Sequence, residues 1–216
     1  MIDSYNKLSI GKFIEIQELD FSGMEEIDIQ VSLIAILNDM TEDEVLELPL
    51  NEYKDCARKL KFLATKPESK TKVPKAIKLN GKEYTVIKDI KEMTAGQYID
   101  YQNYLTHKDN KYLPHILSCF IIPKGEKYGE SDLSTIIETI KSELPIGIAL
   151  NMSAFFLKKW ESLTKGTLTF LGLKMKWMMK KEKNQEVKKK MQMAIKNLTI
   201  LRNSIDSGVG FLTQFK

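Results

Sequence analysis

Residues 8–17, LSIGKFIEIQ, and residues 93–102, MTAGQYIDYQ, align without a gap and decide the predicted fold. A glycine, an aromatic residue, an isoleucine, an acidic residue and a glutamine recur at matched positions in the two segments. Ser9 and Thr94 can each cap a helix that begins immediately after them. In both segments, aromatic and aliphatic side chains recur at helical spacing. We therefore predict that each segment opens a helical unit.

The similarity continues along the chain in the same order. Residues 31–40 and 113–122 are apolar runs at the same relative place, and ELPL at 47–50 corresponds to ELPI at 143–146. Each ELP segment precedes a further helical run. The kept order favours an internal duplication. Chance similarity between amphipathic helices is the alternative.

Periodicity and capping residues set the predicted helices. Thr41 with Glu44 forms a capping box, Asn51 is a candidate N-cap, and Ser131 or Asp132 can cap a later helix. The predicted helices cover residues 9–19, 27–39, 42–47 and 52–65 in the first unit, and 95–106, 111–121, 132–142 and 146–163 in the second.

The apolar positions of these helices predict the core. Ile14 and Ile99 hold matched positions in the two repeated segments, so we expect both to be buried. Phe155, Phe156 and Trp160 recur at helical spacing in the last helix of the second unit. Most of these three rings should face the interior.

A polar, proline-containing stretch, residues 66–75, separates the two units and precedes a hairpin signal. In residues 76–87, AIKLNGKEYTVI, the pair Asn80-Gly81 stands between two alternating apolar runs. Asn and Gly suit a two-residue hairpin turn because both central positions need positive φ. The predicted fold is therefore mainly α, with two related helical units joined by a β-hairpin.

The C-terminal quarter differs in character. Gly166 and Gly172 are expected to bend or break a helix, and residues 174–204 predict a long basic helix. The predicted organisation has four parts: a first helical unit (1–65), a linker and β-hairpin (66–90), a second helical unit (91–163) and a Lys/Met-rich C-terminal helical arm with a tail (164–216).

We predict that this arm binds a partner protein. Methionines concentrate there, and their flexible side chains adapt to a partner's shape. The candidate partner-binding residues are Trp177, Met178, Val187, Met191, Ile195, Leu198, Leu201, Phe211 and Phe215. A helix that folds back onto the rest of the chain is one alternative. A face that contacts phosphates on nucleic acid or a membrane surface is the other.

The charge is uneven along the chain. The formal net charge is +4, and residues 174–196 hold nine lysines against Glu182 and Glu186. Only Arg58 and Arg202 are arginines. Because arginine is the usual residue for bidentate base and phosphate contacts, its scarcity argues mildly against sequence-specific nucleic-acid recognition.

The sequence holds no catalytic constellation. It lacks the glycine-rich phosphate motifs, the nucleophile elbow and the HExxH metal motif. His107, Asp109 and His115 are interpreted as exposed loop residues, with a metal site formed by these three as the alternative. Cys119 is interpreted as a buried core residue and Cys56 as an ordinary helix residue. We predict a non-enzymatic protein with no catalytic, cofactor-binding or metal-ligating residues, and no concave pocket with converging polar groups.

Neither a signal peptide nor a membrane span is predicted. Residues 1–10, MIDSYNKLSI, lack a basic segment followed by an apolar one. The longest apolar-rich stretches, residues 113–123 and 144–157, are shorter than the about 20 residues that span a bilayer. We expect a soluble intracellular chain with reduced thiols.

Several segments resemble small proteins encoded among the morphogenesis genes of tailed bacteriophages. The segments are LSIGKFIEIQ (8–17), AILNDMTEDEVLELPL (35–50), MTAGQYIDYQNYL (93–105) and ILSCFIIPKGEKYG (116–129). The resemblance spans about residues 8–160 and consists of packing patterns. It implies a tail assembly chaperone or a minor virion protein, with no functional residues to carry over.

This resemblance implies a non-enzymatic role in the host cytoplasm or in the virion. The implied partners are other phage structural or assembly proteins, with self-association as a further option. A chaperone would hold the tape-measure protein before assembly, whereas a connector or cargo protein would stay in the particle. A nucleic-acid-binding accessory protein that uses the basic helix is the alternative function. No cofactor is expected.

Overall fold

The computed structural model describes residues 1–65, 73–107, 109–182 and 184–208. The fold is mainly helical with one small antiparallel sheet, so the predicted fold class is confirmed. The chain divides into two compact units, Met1–Ser153 and Ala154–Lys216.

The first four helices follow the predicted order, with boundaries shifted by one to two residues at most starts. Their bounds are α1 Ile10–Glu18, α2 Glu26–Asn38, α3 Glu42–Leu46 and α4 Leu50–Lys59, followed by a 3-10 turn at Leu60–Ala64. Ser9 caps α1 by accepting a hydrogen bond from the Lys12 N–H. Thr41 and Glu44 form the predicted capping box of α3.

The predicted N-cap at Asn51 is wrong, because α4 begins one residue before it. Pro49 occupies the N-cap position with φ −55° and ψ 138°. Proline fixes φ near this value and lacks the N–H that a helix start would leave unpaired, so the helix begins directly after it.

The hairpin is confirmed, and it gains a third strand. Strand β1 (Ala76–Leu79) pairs with β2 (Lys82–Val86), and Asn80 and Gly81 turn the chain with φ of 44° and 77°. Strand β3 (Ile121–Pro123) pairs antiparallel with the other edge of β2. The predicted helix over residues 111–121 is therefore wrong at residue 121, because a short apolar run suits a buried helix and a buried strand equally.

The helices that follow the hairpin also keep the predicted order. Their bounds are α5 Ala95–Leu105, α6 Leu113–Ser118 and α7 Leu133–Glu143, with 3-10 turns at Ile90–Glu92 and Asn110–Tyr112. Thr94 and Gln97 form a capping box on α5, and Asp132 caps α7. Hydrogen bonds from Ser134 and Thr135 hold the pKa of Asp132 down at about 2.

The chain's N-terminal segment is tied to the corner between α7 and the helix after it. Ser9 and Pro145 form an isolated antiparallel bridge. Around this bridge, α1 packs against α2 and α7, and α6 packs against α5 and α7. The hydrogen bonds of the corner run from Ile10 N to Leu144 O (3.2 Å), from Ile146 N to Leu8 O (2.7 Å) and from Gly147 N to Tyr5 O (3.0 Å).

The C-terminal helices correct two expectations. Helix α8 runs from Ile146 to Lys181 and continues through Gly166 and Gly172, so the predicted break is wrong. Each glycine costs a helix only about 1 kcal/mol relative to alanine, which the surrounding leucines, lysines and methionines tolerate. The predicted single helix over residues 174–204 is also two helices, because α9 (Gln185–Gly208) begins anew after Asn184.

Asn184 explains this second start. Its side chain accepts hydrogen bonds from the N–H groups of Glu186 (2.9 Å) and Val187 (3.4 Å). Asparagine is a strong N-cap residue because its short side chain reaches the orphan donors of the first turn.

The two repeated segments, residues 8–17 and 93–102, differ in burial. Ile14 is buried, as predicted, but Ile99 is 57% exposed, so the expectation of equivalent burial is wrong. The helices keep the same order in both predicted units, and the duplication itself stays a prediction. Phe156 is fully buried and Phe155 half-buried, while the Trp160 side chain lies outside the described residues.

Candidate partner-binding surfaces

An apolar stripe lies exposed on α8. Phe170, Leu173 and Trp177 follow one another at spacings of three and four residues, and all three are exposed. Residues so spaced lie on one helix face. We call these three residues the α8 stripe. Trp177 is among the residues predicted from the sequence, and Phe170 and Leu173 are not. The expected helix break at Gly166 and Gly172 hid the helical spacing that relates Phe170 and Leu173 to Trp177.

Lysines surround Trp177. The Lys181 ammonium lies 3.7 Å from the centroid of the Trp177 ring, in cation–π contact. Lys174, Lys176 and Lys180 are exposed nearby on the same helix. A partner that covers the α8 stripe would therefore meet an apolar surface with a positive border.

The remaining candidate residues fall into two groups. Five of the candidate partner-binding residues are half-buried: Met178, Val187, Met191, Ile195 and Leu198. The Leu201 side chain, Phe211 and Phe215 lie outside the described residues. Met193 and Ile200 are exposed on α9 but are not among the predicted residues, because the apolar spacing through Met191 and Leu198 favours another face of the helix. Their seven-residue spacing was the available signal.

A second exposed surface lies where α3 gives way to α4. Leu46 and Leu50 are exposed there, Leu50 at 67%. At the matching corner between α7 and α8, Ile146 is fully buried. The two corners have nearly the same sequence, so the difference arises from what covers them.

The start of α5 forms a third exposed surface. Tyr98 and Ile99 are exposed in the first turns of this helix. A Cβ added at Gly96 would meet only the Thr94 side chain of the helix cap. In α1, the corresponding Phe13 and Ile14 are buried. The two helices therefore present similar residues to different surroundings.

A cleft of about 330 Å³ lies beside α1, α6 and α7 and gathers polar groups. The expectation of no such pocket is therefore wrong. Burial lowers the pKa of His115, and a hydrogen bond to Asp109 raises the pKa of Lys111. The other charged side chains on the wall are Glu15, Glu18, Glu138 and Lys141.

His115 lies half-buried on α6, so its interpretation as an exposed loop residue is wrong. The rings of Tyr104 and Tyr112 pack against it, with centroids 5.2 and 5.3 Å away.

His107 and Asp109, the other two residues of the candidate His/Asp/His metal site, have different surroundings from His115. His107 is exposed, as predicted, and stacks on Tyr112 with ring centroids 4.0 Å apart. Asp109 accepts a hydrogen bond from the Lys111 N–H at 3.0 Å. Among the described residues, no three His, Cys, Asp or Glu side chains group closely enough to hold a metal ion.

A partly buried hydrogen-bonded group links α5 to the loop after β3. The Tyr128 hydroxyl donates to Asp100 Oδ2 at 2.8 Å and lies 4.0 Å from the Cys119 sulfur. Burial raises the pKa of the Cys119 thiol to about 12, so the thiol stays protonated and unreactive at neutral pH. This confirms Cys119 as a buried residue and gives Asp100 a structural partner.

Comparisons with known proteins add no relative. No family model, curated protein or solved structure gives a significant match to the chain. In the parts of the chain that the structure describes, no helix combines the length and apolar character needed to cross a bilayer.

Proposed function

We propose that this chain is a non-enzymatic bacteriophage assembly or virion protein that acts through protein–protein contacts. Its sequence resemblance to phage morphogenesis proteins supports the phage context. The exposed apolar surfaces support the mode of action. The partners would be other phage structural or assembly proteins, met in the host cytoplasm or within the particle.

The α8 stripe is the observation that carries the contact role. Soluble proteins rarely expose contiguous large apolar side chains, and patches of this kind mark interaction sites. Aromatic residues and methionine are enriched at interfaces, where their large side chains contribute much of the binding energy. Phe170 and Trp177 are such residues, and both are exposed.

Mass spectrometry of the phage that encodes this chain tests the proposal. We expect the chain in purified particles at a fixed copy number, or in complexes with phage proteins isolated from infected cells. The first result indicates a virion component and the second an assembly chaperone. Absence from both overturns the proposal.

Substitution of the stripe tests its contribution. The double variant Phe170→Ser and Leu173→Ser should lose incorporation or complex formation while it keeps the wild-type circular dichroism spectrum. The matched control is Lys176→Ser with Lys180→Ser, which changes two exposed positions on the same helix. Equal loss in both double variants would contradict a role for the apolar stripe.

Nucleic-acid binding through the basic arm is the second candidate function. The observation that favours it is the group of exposed lysines around Trp177, since a stacking ring with a positive border suits single-stranded nucleic acid. A titration of labelled single-stranded DNA at several salt concentrations tests it. Affinity that falls steeply with salt, and falls further in the lysine double variant, would favour this function.

A further inference from the structure

We infer that copies of this chain associate head to tail, by joining residues 93–96 of one copy to residues 48–50 of the next. The contact repeats between chains the bridge that joins residues 8–11 to residues 144–146 within each chain. The inference rests on the geometry of the Met1–Ser153 unit and does not depend on a phage role.

The intrachain bridge supplies the template. Ser9 lies opposite Pro145, and the residues on either side of this pair exchange two backbone hydrogen bonds. By the sequence alignment, Thr94 corresponds to Ser9 and Pro49 to Pro145. A bridge between Thr94 and Pro49 would therefore place the Ala95 N–H on the Leu48 carbonyl and the Leu50 N–H on the Met93 carbonyl.

The backbone at Thr94 already has the conformation of its counterpart in the intrachain bridge. Thr94 has φ −68° and ψ 161°, and Ser9 has φ −69° and ψ 160°. Pro49 has φ −55° and ψ 138°, outside the helical region. Thr94 therefore needs no backbone rearrangement for a bridge to form.

The hydrogen-bonding groups of the predicted bridge are available. Ala95 and Leu50 are the first residues of α5 and α4, so their N–H groups have no acceptor within their own helix. Within the described residues, no backbone hydrogen bond outside the helices and strands engages these two N–H groups or the Leu48 and Met93 carbonyls.

The side chains of the predicted interchain contact are exposed, whereas their counterparts in the intrachain contact are buried. On the corner side, Leu50 is 67% exposed and its counterpart Ile146 is fully buried. On the helix side, Ile99 is 57% exposed and Ile14 only 8%. Both surfaces of the predicted interchain contact thus carry an apolar side chain that is exposed in the isolated chain.

Gly96 provides an independent observation. A Cβ on its counterpart Gly11 would lie 3.3 Å from the Lys141 carbonyl oxygen, so glycine lets α1 lie close against α7 without displacing this carbonyl. A Cβ on Gly96 would meet only the Thr94 side chain of its own cap, at 4.0 Å. Glycine destabilises a helix relative to alanine, so its presence in α5 lacks a reason within the isolated chain. Close approach of a second copy to α5 at this open glycine supplies one.

One residue limits the correspondence. Asn51 stands where the second corner has Gly147, whose N–H donates to the Tyr5 carbonyl. A Cβ on Gly147 would lie 3.2 Å from that oxygen, so the third hydrogen bond of the intrachain corner is not expected between chains. The interchain contact therefore comprises the bridge, the glycine approach and the apolar side chains around them.

The two surfaces differ from each other, so the contact is heterologous. Each copy then offers one corner surface (residues 48–50) and one helix surface (residues 93–99), and association continues into a ring or an open filament. Self-association of this kind gives an assembly protein its copy number through closure or through growth along a template.

Sedimentation velocity of the full chain over a range of concentrations tests the inference. Wild-type protein should form species larger than a dimer. Leu50→Lys should disable the corner surface and Ile99→Lys the helix surface, so each variant alone should remain monomeric. An equimolar mixture of the two should form dimers that grow no further, because each variant keeps the half that the other lacks.

Glycine substitutions separate this contact from general folding effects. Gly96→Ala should raise the melting temperature of the monomer and lower its self-association. The matched control, Gly166→Ala, also replaces an open helical glycine and should leave self-association unchanged. A wild-type chain that stays monomeric at all concentrations overturns the inference, and so does association that Gly96→Ala and Ile99→Lys leave intact.

A disulfide tests the pairing itself. Thr94→Cys protein mixed with Pro49→Cys protein should form an interchain disulfide under oxidation, since non-hydrogen-bonded antiparallel pairs bring their Cα atoms within disulfide range. Lys78→Cys replaces Thr94→Cys as the exposed control and should not cross-link with Pro49→Cys. Equal cross-linking in both mixtures contradicts the predicted register.

Discussion

Gly11 and Gly96 occupy the same position in α1 and α5, but only Gly11 lies against another segment's backbone, at the Lys141 carbonyl. This difference predicts opposite effects of the same substitution. Gly96→Ala should raise the free energy of unfolding of the monomer by up to about 1 kcal/mol, the helix-propensity difference. Gly11→Ala should lower it, because its methyl group must displace a backbone carbonyl. Urea denaturation of both variants below the association concentration measures this, and a shift of the same sign in both would contradict it.

Phe156 predicts a large loss of stability on truncation. Its ring is fully buried and makes an edge-to-face contact with Phe155, with centroids 5.4 Å apart. Phe156→Ala should cost about 3–5 kcal/mol of unfolding free energy, through lost burial and a residual cavity. Phe170→Ala is the matched control, because Phe170 lies exposed on the same helix. Similar losses in the two variants, by urea denaturation, would show that Phe156 is not a core residue.

His115 predicts a fall in stability as the pH is lowered. Burial lowers its pKa in the folded chain, so the unfolded chain binds the proton more tightly. The stability that neutral His115 contributes is therefore complete above the unfolded pKa of about 6.5 and is lost as the pH falls through the lower, folded pKa. Urea midpoints measured from about pH 7.5 to about 5 should decline in the wild type and less in His115→Gln. Identical declines would contradict this assignment.

The hairpin turn predicts a position-specific effect of substitution. Gly81 has a φ of 77°, so Gly81→Ala should cost about 1–2 kcal/mol, the penalty for a side chain in the left-handed region. Asn80→Gly should be nearly neutral, because glycine accepts the 44° φ at this position without strain. Thermal melting compares the two variants, and a neutral Gly81→Ala would argue against this turn geometry.

Local chemistry made several elements predictable. The caps at Ser9, Thr41 and Thr94 depend on a side chain and an N–H group within the same turn, so the sequence shows both partners. The turn at Asn80-Gly81 depends only on the φ values of its own residues. Contacts of this range leave a direct signature in the sequence.

Elements that depend on distant partners were less predictable. Strand β3 forms because the free edge of β2 pairs with Ile121 and Ile122, far along the chain. Leu50 and Ile146 follow the same Glu-Leu-Pro sequence, yet their burial differs because residues 8–10 cover only the second corner. Tertiary neighbours decide these features, and a local pattern does not contain them.

The candidate binding surface was predicted in part for the same reason. Trp177 was found because a large aromatic residue among lysines is visible in the sequence. Phe170 and Leu173 were missed because Gly166 and Gly172 were given more weight than the helix formers around them. Helix propensity is summed over a window of residues, and here the helix formers outweigh the cost of the two glycines.

The bridge between Ser9 and Pro145 also sets the order in which the chain can fold during synthesis. Leu8 and Ile10 are fully buried in the finished unit, but their partners, residues 144–146, are translated after nearly all of that unit. The nascent chain therefore leaves the ribosome with this apolar segment uncovered. Contacts so distant in sequence form slowly and leave surface open to aggregation meanwhile. The corner at residues 47–50, translated much earlier, is the first place on the nascent chain where that segment could bind prematurely.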